Sequence, residues 1–268
     1  MEGFRFSNLA EVKYLLKYIS KRLTTPLIPD ELWEEAKRAT FELYDGSHCL
    51  PLVKRCTELF EQIHRAKYQT DLWEFLFESS VEDFCDVSNA EVVVSTIHKA
   101  KGREFDDVYM LLNDRLHKDE QLFRQYYVGM TRAKSRLFIH TNSDLFSRLP
   151  ADKQRVDHRQ YPMPEEIVLQ LSHKDVFLDF FKPIKKDVLA LRSGNRLLLE
   201  GNYILASVTH RAVAKLSTNM QAILSAWKEK NYQVRSASVR YIVAWKPKDA
   251  PKEEPETAVL LIDLVLNK

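Results

Sequence analysis

From residue 7 to residue 80 the apolar positions return every three or four residues, the spacing of helix faces turned toward a core. Leu9, Val12, Leu16, Ile19 and Leu23 form the first stripe, opened by Asn8 and Glu11 in a capping arrangement and closed by Pro26 and Pro29. Asp30 is placed to cap a second helix through Leu32, Trp33, Ala36 and Phe41, which Asp45 and Gly46 end. A third follows Pro51 through Val53, Cys56, Leu59, Phe60 and Ile63, and Thr70 opens a short fourth with Leu72, Trp73, Phe75 and Leu76. Residues 83–91 are polar and acidic, a connector into a different pattern.

Residues 92–94, 108–112 and 137–139 are unbroken apolar runs, which suit parallel strands buried on both faces. Residues 120–134 are long enough for a crossover helix, so this stretch reads strand, polar turn, strand, helix, strand. Its polar groups gather where strands stop, the place where open α/β sheets hold ligands. Residues 144–164, with Pro150, Pro162 and Pro164, read as a helix end and a linker. Beyond them the pattern is mostly β, with strands expected at 167–171, 176–181, 188–191, 196–199 and 203–207 and turns at Gly194 and Gly201. One helix is expected across 212–230, then an alternating strand at 237–245 and a last strand at 258–266; short strands at this spacing suggest a small barrel.

The polar turn carries Thr96-Ile97-His98-Lys99-Ala100-Lys101-Gly102-Arg103-Glu104-Phe105-Asp106, and the crossover helix ends in Tyr127-Val128-Gly129-Met130-Thr131-Arg132-Ala133-Lys134. In that order, these resemble the fifth and sixth motifs of superfamily 1 DNA helicases of the UvrD, Rep and PcrA type. The resemblance is strong over residues 92–141, weak before them and absent after about residue 150. It implies a RecA-like parallel-sheet core at 91–149 in an α/β fold, to which the pattern along the chain adds a helical segment at 1–90, a linker at 150–165 and a small β-rich, barrel-like domain at 166–268. The helical segment is then either the return from an inserted subdomain or a packing cap.

In that family ATP lies between two RecA-like domains, the first supplying the phosphate loop and the magnesium-binding acid. By resemblance Arg132 is the arginine finger, whose planar, permanently charged fork suits phosphate oxygens. Glu104 matches the carboxylate that holds the ribose, with Gly102 letting the backbone come close. Thr96, His98 and Lys99 match the surface that touches single-stranded DNA. Lys101 and Lys134 read as surface charges; Phe105, Tyr126 and Tyr127 read as core.

Three departures matter. Arg103 stands where an apolar residue is usual, and of a Glu-Arg-Arg run ahead of the sixth motif only Arg124 remains, after Leu122 and Phe123. No two of the six glycines have the spacing of a phosphate-binding loop. The expected function is therefore the C-terminal portion of an ATP-dependent helicase or translocase, akin to the UvrD-like or long RecQ-related bacterial proteins. It would work with ATP and Mg2+ only beside a missing N-terminal RecA-like domain, on single-stranded or partly duplex DNA.

Composition adds limits. A net charge of +2 makes no global case for nucleic acid. Three cysteines without close pairing support neither a disulfide framework nor a zinc site, and the eight histidines do not cluster with acids at ligand spacing. No stretch suits a membrane span and no secretory leader is evident, so the cytoplasm is the expected compartment. A competing expectation is a nucleic-acid or protein binding module with a vestigial motor half. Its surface would be Arg192, Arg196, Arg235, Arg240, Lys246 and Lys248 interleaved with Tyr203, Tyr241 and Trp245; the opposing reading makes those aromatics barrel core.

Overall fold

A computed structural model describes residues 4–268 apart from 86–91, 99, 101, 113–119, 144–145, 147–149, 151–155, 157, 248 and 252. The chain divides into two compact units, Met1–Cys85 with Pro162–Lys268, and Asp86–Tyr161. The sequence reading drew boundaries at 90 and 166; the structure gathers the helical start and the β-rich end around one core.

In the first unit four helices follow one another: α1 (Ala10–Arg22), α2 (Asp30–Leu43), α3 (Leu50–Ile63) and α4 (Gln69–Glu78). The short strands β1 (Leu27–Ile28) and β2 (Lys67–Tyr68) pair antiparallel. The capping arrangement expected for α1 is not made. Asn8 Oδ1 accepts from the Arg5 N–H at 2.9 Å and closes a 3-10 turn, Phe6–Asn8, before the helix begins. Glu11 is instead 1% exposed and accepts from Ser47 Oγ at 2.7 Å. Trp33, buried against Phe60, donates its indole N–H to Glu61 at 2.6 Å, which satisfies the one polar atom of a large core side chain.

The β-rich part is an antiparallel six-stranded sheet, in chain order β5 (Glu166–Gln170), β6 (Arg196–Glu200), β7 (Tyr203–Ala206), β8 (Ala212–Lys215), β9 (Gln233–Trp245) and β10 (Thr257–Asn267). Two further strands, β3 (Phe105–Leu112) and β4 (Ala133–Thr141), belong to the second unit. The spatial order β5-β10-β9-β6-β7-β8 curls into a half-barrel rather than a closed barrel. β10, next to the edge strand β5, is deeply buried: Ala258, Val259, Leu260, Leu261 and Ile262 are all buried, so both faces of the strand are covered. α1 lies on β9, with Leu9 bridging to Val243, and α6 (Lys185–Ala190) lies on β10.

Three expectations here fail. Residues 176–181 hold only a single bridge, Val176 to Leu216, followed by a 3-10 turn Leu178–Phe181. Residues 188–191 belong to the end of α6, and the helix expected from 212 is first β8 and then α7 (Thr218–Glu229). Ser217 starts α7 by accepting from the Met220 N–H at 3.2 Å.

The second unit contains a parallel pair, β3 (Phe105–Leu112) and β4 (Ala133–Thr141), joined through α5 (Glu120–Met130). The strand expected at 92–94 is absent: residues 92–96 are irregular, with Val92 78% and Val94 94% exposed. Among the described residues no third strand joins the pair. No helix among them is long and apolar enough to cross a membrane.

Candidate functional site

The end of α5 meets the start of β3. Gly129 allows this approach, because a Cβ there would lie 2.9 Å from Met110 Cε on β3 and 3.4 Å from Ile97 Cδ1. Two residues later the helix stops and Arg132 folds back over its end. Its Nε donates to the Val128 carbonyl at 2.9 Å and one Nη to Thr131 Oγ1 at 3.1 Å. A guanidinium on the last free carbonyls also suits the negative end of the helix dipole. The other Nη donates to the Arg103 carbonyl at 3.3 Å, while the Arg132 carbonyl accepts from the Phe105 N–H at 2.9 Å.

These two bonds tie the sixth-motif segment to the fifth, and a backbone ladder continues from there. The Arg103 N–H donates to the Ala100 carbonyl at 3.1 Å, and the Ala100 N–H donates to the Thr96 carbonyl at 3.1 Å. Gly102 sits within this turn at φ +83, a conformation other side chains resist, with open space where a Cβ would point. Glu104 is exposed and pairs with Lys134 at 3.7 Å. The site thus presents one exposed carboxylate and one half-buried guanidinium at the entries of two parallel strands. That differs from the expectation of polar groups at strand ends, and the reason is the missing strand at 92–94, whose end would have been the motif's base.

Farther along, Asp107 takes a two-pronged ion pair from Arg136, with Nε to Oδ1 at 2.7 Å. The Arg136 guanidinium holds the Asp107 carboxyl below the usual carboxylate range. On the same face Tyr109 stacks on Phe138 at 4.4 Å between centroids and stays 62% exposed, with Leu111 80% exposed beyond it. The sequence reading missed both the Glu104–Lys134 and Asp107–Arg136 pairs. Asp107 and Arg136 are register partners across the parallel pair, and Glu104 and Lys134 flank its first partners, Phe105 and Ala133.

Of the residues chosen from sequence, Thr96, His98, Gly102, Glu104 and Arg132 lie on this one turn-and-helix junction, with Thr96 and His98 exposed. Lys99 and Lys101 fall outside the described residues. Of the three residues expected in the core, Tyr126 is buried and Phe105 half-buried, whereas Tyr127 is 68% exposed and is no core residue. Arg124 pairs with Glu120 at 2.8 Å along α5.

Of the basic surface expected on the β-rich part, Arg192 and Arg240 are used internally, while Arg196 and Arg235 are exposed. Arg192 donates twice to the Leu43 carbonyl, at 3.1 and 2.7 Å, and Arg240 donates to the Leu171 carbonyl at 2.7 Å and lies 3.2 Å from Asp263. Lys248 is outside the described residues.

No curated protein and no solved structure matches the chain. A family model described as the UvrD-like helicase C-terminal domain matches residues 35–144, a span that takes in the turn, α5 and both parallel strands. Over those residues the chain is similar to the C-terminal domain of UvrD-like helicases.

Proposed function

We propose that this chain is the C-terminal part of an ATP-dependent DNA translocase, contributing Arg132 as the arginine finger, Glu104 with Gly102 as the ribose contact, and Thr96, His98 and Lys99 as part of the single-stranded DNA surface. The observation that carries this reading is the bonded path Thr96–Ala100–Arg103–Arg132, which joins the residues assigned to DNA with the residue assigned to phosphate.

The residues present fit half of a nucleotide site. A guanidinium is parked on neutral acceptors, a carboxylate stands exposed, and a glycine leaves the backbone open between them. ATP, when bound with Mg2+, supplies the anhydride whose cleavage drives the cycle. Arg132 would exchange three bonds to neutral oxygens for charge-assisted bonds to phosphate, which are roughly twice as strong. Leaving the Arg103 carbonyl, it would release one rung of the ladder, and the turn holding Thr96 and His98 would be free to shift. Hydrolysis and movement on DNA are then coupled through a strand-entry turn with two arrangements.

A companion RecA-like half completes the reading. Parallel sheets are ordinarily covered on both faces, and two strands alone are marginal; the exposed Tyr109 and Leu111 support further strands and helices joining this pair to make a RecA-like core. The chain by itself is then expected to hydrolyse no ATP. Joined to a domain with a phosphate loop, it should show DNA-stimulated hydrolysis that Arg132→Ala lowers by about 10³–10⁵. Undiminished hydrolysis in that variant would remove Arg132 from its role.

A further inference from the structure

A cavity of the first unit lies where its sheet comes apart. β6 pairs with β9 only at Arg196–Ser238 and Leu197–Ala237. Beyond that point β6 runs on to Glu200 and β9 reaches back to Gln233, but the two strands diverge. Between them and α7 is an open groove of about 980 Å³. This is near the upper end of the volumes of small-molecule sites.

The groove has a backbone edge. Asn195 accepts from the Val239 N–H on the β9 side, and Arg196 accepts from the Ser207 N–H on the opposite side. Backbone groups alternate sides along a strand, so the N–H and C=O of Leu199 point into the gap. Across the gap, residues 233–236 have β10 as a neighbour on one side only. Such an edge is a template for another strand. The floor is apolar, with Leu198, Leu224 and Val234 part-exposed, and the rim carries Lys228 and Arg235 against a single acid, Glu200.

These features select among ligands. A nucleic-acid strand needs aromatic faces for its bases, and the one aromatic side chain lining the groove, Tyr232, is 2% exposed with its hydroxyl donating to the Pro164 carbonyl. We propose that this groove is a docking site for an extended peptide of a partner protein. The peptide pairs as a strand with the Leu199 edge, sets alternate apolar side chains on the leucine and valine floor, and meets Lys228 and Arg235 with acidic residues. This is β-strand addition, in which backbone bonds give affinity and side-chain pockets give selectivity. The inference concerns the first unit and does not rest on the motor reading.

The test is selection of a displayed library of random twelve-residue peptides on the full chain, followed by anisotropy titration of the enriched peptide. Enrichment of alternating apolar sequences with acidic residues is expected. Affinity should fall about tenfold or more with Ser225→Trp, which fills the groove from an exposed helix position, and with Arg235→Glu. The same peptide methylated on alternate backbone nitrogens should lose binding, and the Leu199 amide should gain hydrogen-exchange protection in the complex. No enrichment, equal binding to Ser225→Trp, or equal binding of the methylated peptide would overturn the proposal. Binding of a twenty-residue thymidine oligonucleotide in the groove, lost with Arg235→Glu while no peptide binds, would replace it with a nucleic-acid site.

Discussion

Glu11 offers a sharp test of how the first unit is held together. Its carboxyl lies among α1, the turn after α2 and the start of α3, facing Ser47, Tyr44 and Cys49, with Arg192 near enough to attract it. Oε1 accepts from Ser47, whereas Oε2 has no hydrogen-bond partner among the described residues. Burial raises its pKa above 4.5; the Ser47 bond and the Arg192 charge only partly offset this. Burial also pushes Tyr44 and Cys49 up to about 12, so neither changes charge below neutral pH.

An acid whose folded pKa is raised favours the folded state when protonated. That contribution is complete below 4.5 and is lost as pH rises through the folded value. Each unit of elevation corresponds to about 1.4 kcal/mol. Glu11→Gln keeps the acceptor for Ser47 and cannot ionise, although its amide leaves a buried donor that costs about 1–3 kcal/mol at every pH. The informative quantity is therefore the wild-type minus variant difference, measured by thermal denaturation from pH 4.5 to 8. It should shift in favour of Gln as pH rises, by roughly 2–4 °C in midpoint temperature for each kcal/mol. A difference that stays constant, or that grows in favour of Glu, would refute the reasoning.

Other outcomes follow from single contacts. Gly194 has φ +91 and an added Cβ would lie 2.5 Å from the His48 ring, so Gly194→Ala should cost about 1–3 kcal/mol in urea denaturation; adding His48→Ala should recover only the steric part. Arg192→Ala removes the two bonds to the Leu43 carbonyl and the contact over the Tyr44 ring, and should lower stability by about 1–3 kcal/mol while leaving a DNA titration of the chain unchanged. Cys49 and Cys56 are buried and Cys85 exposed, so a thiol reagent at pH 8 should label Cys85 first and the other two only on unfolding, as peptide mass mapping would show.

What could be read from the sequence followed the strength of local pattern. The four N-terminal helices were legible because each carries an apolar stripe, closed for α1 by Pro26 and for α2 by Gly46, and β9 and β10 because alternation and apolar runs persist over many residues. Residues 212–216 were misread since Val213 and Leu216 also fit the stripe of the following helix; Ser217, the true cap, was the overlooked signal. Val188 carries strand propensity, but tertiary packing on β10 places it in α6. Val92 and Val94 suit a strand, and a strand needs a neighbour that the described residues do not supply.

At the site, the clustering of Gly102, Glu104 and Arg132 was legible from motif order. The parked state of Arg132 was not, because its acceptors are backbone carbonyls, which leave no mark on sequence. Arg192 and Arg240 were likewise counted as surface charge for want of any sign that carbonyls of distant elements would claim them.

The central claim is that the Arg132 guanidinium leaves its own backbone for phosphate. Its most direct measurement is a structure of this chain joined to a phosphate-loop motor domain, with single-stranded DNA and ADP–aluminium fluoride bound. The account predicts the guanidinium within hydrogen-bond reach of the fluoride group, the Arg103 contact broken and Glu104 on the ribose. A guanidinium still held by the Val128 and Arg103 carbonyls beside a fully formed transition-state mimic would contradict it.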